Sequence, residues 1–467
     1  MHSRDDDRDT VLCAKLLIPG RGTPIPNAAV AFSQKTGIIS FVGPISSLPP
    51  CLATASRIHV GYLLPGLWDC HTHFAGLFKT EMQGFIATHP AVVGAAITRG
   101  FLDTLMAGFT SIRDVGSYAI EAHEAVKSGL VLGPNVFGAG AAIGITGGHT
   151  DVQDIPADWA YKYEGVSPQN KWPGVSPIVL ADGVDECRRA VRQQIRRGAK
   201  CIKIATTGGV STPNDDPEYR QFSDAEIDAL VDEARLQGRS VAAHAHGKSG
   251  IIASIKAGVH TIEHGSYIDE EVARLMCEHG TMLVATRHAI EAGLTRLRFM
   301  RPEVAAKLVA IAEHHLHGYQ TAMRYGVKIA LGTDIGNSEL GTIMSHGMNG
   351  HELVWAVKVG MSPLAAIEAA TANAAETLGL QAPKKGVIRE GWDADLIAMD
   401  ENPLENIQLF RDPRNIKYVW KGGQMVKSSG SVNWPRITSV AEEDEGNIDG
   451  WSVVDRHECV VCKATGH

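Results

Sequence analysis

Residues 63–74 read Leu-Leu-Pro-Gly-Leu-Trp-Asp-Cys-His-Thr-His-Phe. An apolar run broken by Pro65 and Gly66 ends in His71 and His73, one residue apart. Side chains of a strand alternate between its two faces, so both imidazoles are expected on the same side. Imidazole is the commonest metal ligand, but two ligands do not complete a site. The remaining donors must come from elsewhere in the chain.

Working outward, apolar strand candidates at 63–73, 110–115, 135–139, 201–205, 240–244, 261–264, 281–286 and 327–332 alternate with helix candidates such as 183–197, 224–237 and 302–325. Ser223, with Glu226 three residues on, predicts a capping box at the start of the second of these helices. Such alternation predicts an α/β fold with a parallel sheet, and eight strands are what a closed (β/α)8 barrel of the TIM type needs. The connections 141–177 and 206–221 are long and rich in Gly and Pro, and both follow a strand's carboxyl end, where barrels build their sites. Both are expected to border a substrate.

Before the barrel, residues 11–17, 28–32 and 38–42 read as short strands separated by turn residues. After a helical stretch at 363–378, strand signals return at 387–388, 395–399, 418–420 and 424–426. The two sets are expected to pair into a small flanking β-sandwich domain built from both chain ends. The expected organisation is a disordered amino terminus (1–10), the sandwich (11–62 with 385–427), the barrel (63–384) and a polar carboxyl-terminal extension (428–467). That extension holds Cys459 and Cys462, half of a zinc motif with no second well-spaced pair, so unpaired thiols are the plainer reading.

Composition narrows the class. A chain of 467 residues exceeds the size at which one core usually stops growing, consistent with a barrel plus a smaller domain. A formal charge of −8 provides no basic footprint for nucleic acid or an anionic membrane, which leaves small molecules or protein surfaces as partners. Residues 1–10 are charged and carry no apolar run suited to a secretory signal or membrane span, so cytoplasmic residence is expected. Eight scattered cysteines do not suggest a disulfide framework.

A barrel brings the carboxyl ends of different strands to one mouth. At those ends stand Lys203 in Cys-Ile-Lys-Ile-Ala-Thr-Thr-Gly-Gly, His244 in Ala-Ala-His-Ala-His-Gly, His264 in Thr-Ile-Glu-His-Gly and Asp334 in Ile-Ala-Leu-Gly-Thr-Asp. With His71 and His73 they make a nitrogen and carboxylate donor set that suits zinc or a similar divalent ion. Singly, each has a plainer role: Lys203 could snorkel, Asp334 could cap a turn, His264 could be a bonded core histidine. Their joint position at five strand ends favours a site. His246 shares the strand face of His244, and His149 lies in a loop, Gly147-Gly-His-Thr-Asp, that could reach the mouth.

The His-Thr-His stretch, His244, His264, Asp334 and the closing Gly391-Trp-Asp-Ala-Asp-Leu-Ile resemble the metal-dependent amidohydrolase superfamily, over Lys15 to about Lys427. Lys203 before Thr-Gly-Gly, the His149 loop and His-Ala-His-Gly are most similar to the branch of fungal ochratoxinase and prolidase-like amidases. The resemblance implies two divalent metal ions, taken as zinc. His71, His73 and Asp334 would hold the more buried ion and His244 and His264 the other. Lys203, carboxylated on its side-chain nitrogen by carbon dioxide, would bridge them. Asp334 would carry a proton from the attacking water to the departing amine, with His246 assigned to catalysis or substrate contact beside His149.

The implied reaction is hydrolysis of the amide of an N-acyl amino acid or dipeptide with a free carboxylate, by a carboxypeptidase-like homo-oligomer. Tyr219, Arg113, Arg287 and Arg220 are candidates to meet that carboxylate, because guanidinium forks and phenols suit it. Arg113 could as easily brace a barrel end, and Arg220 could be a solvated loop charge. The competing readings are a cyclic amide or lactone hydrolase of the same superfamily and a catalytically silent metal-binding barrel scaffold. The scaffold would be expected to have lost Asp334 or several ligands.

Overall fold

The computed structural model describes residues 9–77, 84, 88–151, 153, 155–158, 177–337 and 342–429. The chain begins with β1 (Asp9–Leu17), β2 (Ile25–Ser33), β3 (Ile39–Pro44) and β4 (Ser56–Pro65). A run of parallel strands follows: β5 (Leu67–Leu77), β6 (Phe109–Asp114), β7 (Asn135–Val136), β8 (Ala142–Gly144), β9 (Ile178–Leu180), β10 (Cys201–Ala205), β11 (Ser240–Ala245), β12 (Thr261–His264), β13 (Met282–Val284) and β14 (Ile335–Asn337). Three more strands, β15 (Leu396–Met399), β16 (Ile416–Lys421) and β17 (Gln424–Lys427), follow.

Both chain ends join one seven-stranded sheet in the order β17-β16-β15-β4-β1-β2-β3. Within it β1 and β4 are parallel and the other neighbours antiparallel. Leu12, Val30, Phe32, Leu63, Leu396 and Trp420 form a core of its own. Residues 387–388 form no strand; Ile388 N donates to Pro19 O at 3.0 Å.

The quoted stretch spans two sheets. Leu63 pairs with Leu17 and Ala398 in the seven-stranded sheet, whereas Leu67 pairs with Phe109 of β6. The crossing falls at Pro65 and Gly66. Proline has no N–H to continue a ladder, and a Cβ on Gly66 would lie 2.0 Å from Thr110 Oγ1, so only glycine lets the strands approach.

The parallel strands form a six-stranded sheet, β13-β12-β11-β10-β8-β9, and a four-stranded one, β14-β5-β6-β7. Backbone hydrogen bonds run between them on both sides. Leu283 N donates to Lys328 O (2.9 Å), and Cys70 N donates to Leu331 O (2.9 Å). On the other side, Lys200 N donates to Gly138 O (2.9 Å). The expected eighth strand, 327–332, is reduced to one parallel bridge from Ile329 to Leu283, and strand structure resumes only at Ile335. β8 and β9 lie at the two ends of the connection that was expected to be a loop; residues 159–176 of it fall outside the described residues.

Helices Val184–Arg197, Asp224–Leu236, Lys248–Ala257, Glu270–His279 and Pro302–Tyr325 cover the six-stranded sheet. The capping box of Ser223 and Glu226 is present. The apolar faces of these helices, through Val191, Leu230, Ile255 and Met276, share one core with Ile202, Val241 and Ile262 of the strands. Burying each such side chain is worth about 1.5–3 kcal/mol. Expected as one helical stretch, 363–378 contains two short helices, Pro363–Ala369 and Ala372–Glu376. The described cysteines are all free, and Cys459 and Cys462 lie outside the described residues.

Candidate metal centre

His71 and His73 lie on β5 with ring centroids 5.3 Å apart, as the period of a strand demands. Asp334 reaches them from the segment before β14, with Oδ1 3.4 Å from His71 Nε2 and 3.2 Å from His73 Nε2. Lys203 projects from β10 and places Nζ 3.3 Å from His71 Nε2. His264 on β12 lies 4.9 Å from His71 and 4.5 Å from His244 between ring centroids. All six expected side chains thus converge. Two groups have ligand atoms within 4.8 Å of one another: His71, His264 and Asp334, and His244, His246 and His264.

Each imidazole is aimed by its other nitrogen. His71 Nδ1 meets Glu263 Oε2 at 2.7 Å, His73 Nδ1 meets Gly116 O at 3.0 Å, and His264 Nδ1 meets Thr286 Oγ1 at 2.7 Å. His244 is reversed, with Nε2 3.1 Å from Gly208 O. A ring whose one nitrogen is so engaged turns its other towards the centre, the usual arrangement of metal-ligating histidine. Four imidazoles, a carboxylate and a lysine, with these nitrogens directed inward, fit divalent metal ions.

Electrostatics agree. Burial lowers His71 to about 4 and His246 to about 3, and holds His244 and His264 well below the usual imidazole range, so all four stay neutral. Burial also pushes the Lys203 amine down to about 8, against the pull of Glu263 and Asp334. At Asp334 burial raises the carboxyl, but His71, His73 and Lys203 outweigh it and keep it ionised. His73 and Asp334, with side chains 27% and 30% exposed, form the open side, whereas His244, His246 and His264 are 3–6% exposed. His71 of the same group is only 1% exposed, so it is His73 and Asp334 that open this group to solvent.

Two expected substrate contacts are corrected. Arg113 is fully buried, donating to Cys70 O (2.6 Å), Thr261 Oγ1 (2.9 Å) and both oxygens of Glu263 (2.7 and 2.8 Å). It ties β6 to β5 and β12, a bracing role like the alternative considered for it. Arg287 is also buried, with its guanidinium on Glu291 Oε1, Ala312 O and His315 Nδ1. Neither can turn to the mouth without breaking a buried ion pair, which is costly. Arg220 donates to Phe222 O and Asp224.

His149 does reach the centre. Its ring stacks on His244 at 4.2 Å, with Nδ1 2.7 Å from Thr212 Oγ1. A Cβ on Gly209 would fall 2.1 Å from His149 Cε1, so this glycine makes room for the ring. His246 Nδ1 lies on Ser266 Oγ at 2.7 Å. Tyr219 is 71% exposed on the loop after β10.

Glu263 escaped sequence reasoning. It precedes His264, and strand alternation assigns the two to opposite faces. His264, however, adopts a left-handed backbone (φ 70°), and so do Thr286 (φ 54°) and Asp334 (φ 62°). Three of the four non-glycine residues with positive φ among the described residues therefore stand at this centre, where backbone strain commonly collects. Asp69 supports the arrangement by accepting from His71 N, Thr333 N, Thr333 Oγ1 and Asn349 Nδ2.

The chain is similar to known proteins over most of its length. The ochratoxinase of Aspergillus niger is 46% identical over 439 residues, covering 92% of this chain and 89% of that protein. Its crystal structure superposes with a TM-score of 0.84 over 91% of this chain and 97% of that one. A Xaa-Pro dipeptidase with bound methionine in the active site is 33% identical, with a TM-score of 0.79 over 90% of this chain and all of the other (100%). A prolidase complexed with N-methylphosphonate-L-proline is 31% identical, with a TM-score of 0.78 over 90% and 100%. The model of the amidohydrolase family matches residues 62–426, and the chain belongs to that family.

Proposed function

We propose that the protein is a binuclear, zinc-dependent amidohydrolase that cleaves the amide of an N-acyl amino acid or dipeptide carrying a free carboxylate. The observation that carries this reading is the convergence of His71, His73, Lys203, His244, His264 and Asp334, each imidazole with one nitrogen tied back. The likeness to an ochratoxinase and to dipeptidases supports the substrate class. On this reading β5, β6, β7, β10, β11, β12, β13 and the 327–332 segment are the eight strands of one barrel spanning 63–384, and the seven-stranded sheet folds over itself as the flanking sandwich of 11–62 and 385–427.

Bound there, two divalent ions supply Lewis acidity to the substrate carbonyl and acidify water enough for attack at neutral pH. His71, His73, His244, His264 and Asp334 would hold the ions, with Lys203, carboxylated by carbon dioxide, as a further anionic ligand; a lysine lowered to about 8 has an accessible neutral amine for carbon dioxide. Asp334, kept ionised beside His71 and His73, accepts the proton of the attacking water and returns it to the leaving nitrogen. His246 and His149 position the acyl side of the substrate, and the exposed Tyr219 hydroxyl meets its carboxylate.

The test is a panel of N-acyl amino acids including ochratoxin A, Xaa-Pro dipeptides, cyclic imides and lactones, with metal content measured on the same samples. Turnover of the open-chain amides in proportion to metal supports the reading. Turnover confined to cyclic substrates would replace it.

A further inference from the structure

The imidazoles of the centre are not backed alike. Behind His71 stands a charged carboxylate, Glu263, itself paired with Arg113 at 2.7 Å, and neither side chain is exposed. Asp334 adds a second anion at this end. The cluster of His244, His246 and His264 has only neutral backing: Gly208 O, Ser266 Oγ and Thr286 Oγ1. His264 stands between the two ends, since it belongs to both convergent groups.

Thr286 is the most constrained of these partners. A β-branched residue at φ 54° is a backbone outlier. Its hydroxyl donates to Ala285 O at 2.6 Å, so towards His264 it can only accept. His264 Nδ1 therefore carries the proton, and the Nε2 lone pair faces the cluster. Ala285 O also meets His315 Nε2 (2.6 Å), whose Nδ1 faces Arg287 Nη1 (3.2 Å). The direction of one hydroxyl is thus fixed by a buried chain that ends on the Arg287–Glu291 pair.

A carboxylate behind an imidazole makes it a more basic ligand than a hydroxyl does, and loss of such a partner typically costs about 10–100-fold in metal affinity. Resting on the two-ion reading, we propose that the ions are held unequally: tightly at the His71–Asp334 end, and more weakly and exchangeably at the His244–His264 end, where Thr286 is the positioning residue that aims His264. Lys203, shared by both ions, does not alter the order. Ligand charge, and not burial, separates the two ends.

The experiment is zinc removal from the full-length protein by graded chelator, read as zinc per chain. It is paired with anomalous scattering from crystals of protein brought to one zinc per chain. Two steps at least about tenfold apart are expected, with the half-loaded density at His71, His73 and Asp334. Thr286→Val keeps the shape of the side chain and leaves Ala285 O bonded to His315, so only His264 Nδ1 loses a partner. It should weaken the looser step about tenfold, and by more than the tighter one, and Thr286→Ser should restore it. Two ions leaving in one step, half-loaded density at His244 and His264, or a Thr286→Val shift of the tighter step as large as that of the looser would each overturn the proposal. The wild-type titration and density decide the order even if the valine variant does not fold. A single ion in protein never exposed to chelator overturns the two-ion reading, and this proposal with it.

Discussion

Glu263 Oε2 lies 2.7 Å from His71 Nδ1, with the two side chains 0% and 1% exposed. Burial alone would protonate this carboxyl, but Arg113, His71 and Lys203 together hold it below the ordinary range. It is an anion stored beneath the centre, and what it does can be measured. Glu263→Gln removes the charge and leaves Arg113 buried without its partner. Zinc affinity should fall about 10–100-fold, and thermal melting should reveal a loss of about 3–5 kcal/mol. Unchanged chelator titration would exclude Glu263 as a support for His71.

Replacing Asp334 with Asn separates proton transfer from fold. The far-UV spectrum should be unchanged while kcat falls about 10²–10⁴-fold. Turnover at the wild-type rate would remove Asp334 as the proton carrier.

Tyr219→Phe should raise KM by about tenfold or more with little effect on kcat, the loss of one hydrogen bond to a charged group. The effect should vanish with substrates lacking the carboxylate. Arg113→Ala, in contrast, should lower the melting temperature and not KM selectively, because its guanidinium is spent on Glu263 and Thr261.

The metal-free protein should lose stability on mild acidification. Burial lowers His71 to about 4 and His246 and His315 to about 3. Below the ordinary histidine value of about 6.5 the unfolded chain binds protons that the folded one refuses, so stability is full above that pH and falls beneath it. Each such histidine contributes a slope of up to about 1.4 kcal/mol per pH unit. Melting temperatures of chelator-treated protein between about pH 7.5 and 5 check this; a flat profile would mean these rings are not buried neutral in solution.

The six convergent residues were legible because parallel strands carry residues at their carboxyl ends to the same edge, however far apart they lie in sequence. The strand period alone aligned His71 with His73. What sequence could not supply was backbone handedness: the positive φ of His264 turns its ring to the face that Glu263 and Thr261 already occupy, whereas period-two counting puts His264 and Glu263 on opposite faces. Arg113 and Arg287 misled for a related reason, since a guanidinium's partners are fixed by packing across strands and helices, as Glu263 and Glu291 show. The break at Pro65 and Gly66 was visible, but that it marks passage between two sheets depended on Asp395 and Thr110, remote in sequence.

The proposal that six side chains hold two divalent ions, with Lys203 carboxylated, is most directly tested by native mass spectrometry of protein prepared with zinc and bicarbonate. The mass should exceed that of the chain by two zinc ions and one carbon dioxide, and Lys203→Ala should lose the carbon dioxide and at least one zinc together. A mass with a single zinc and no carbon dioxide, at full amidase activity, would contradict the account.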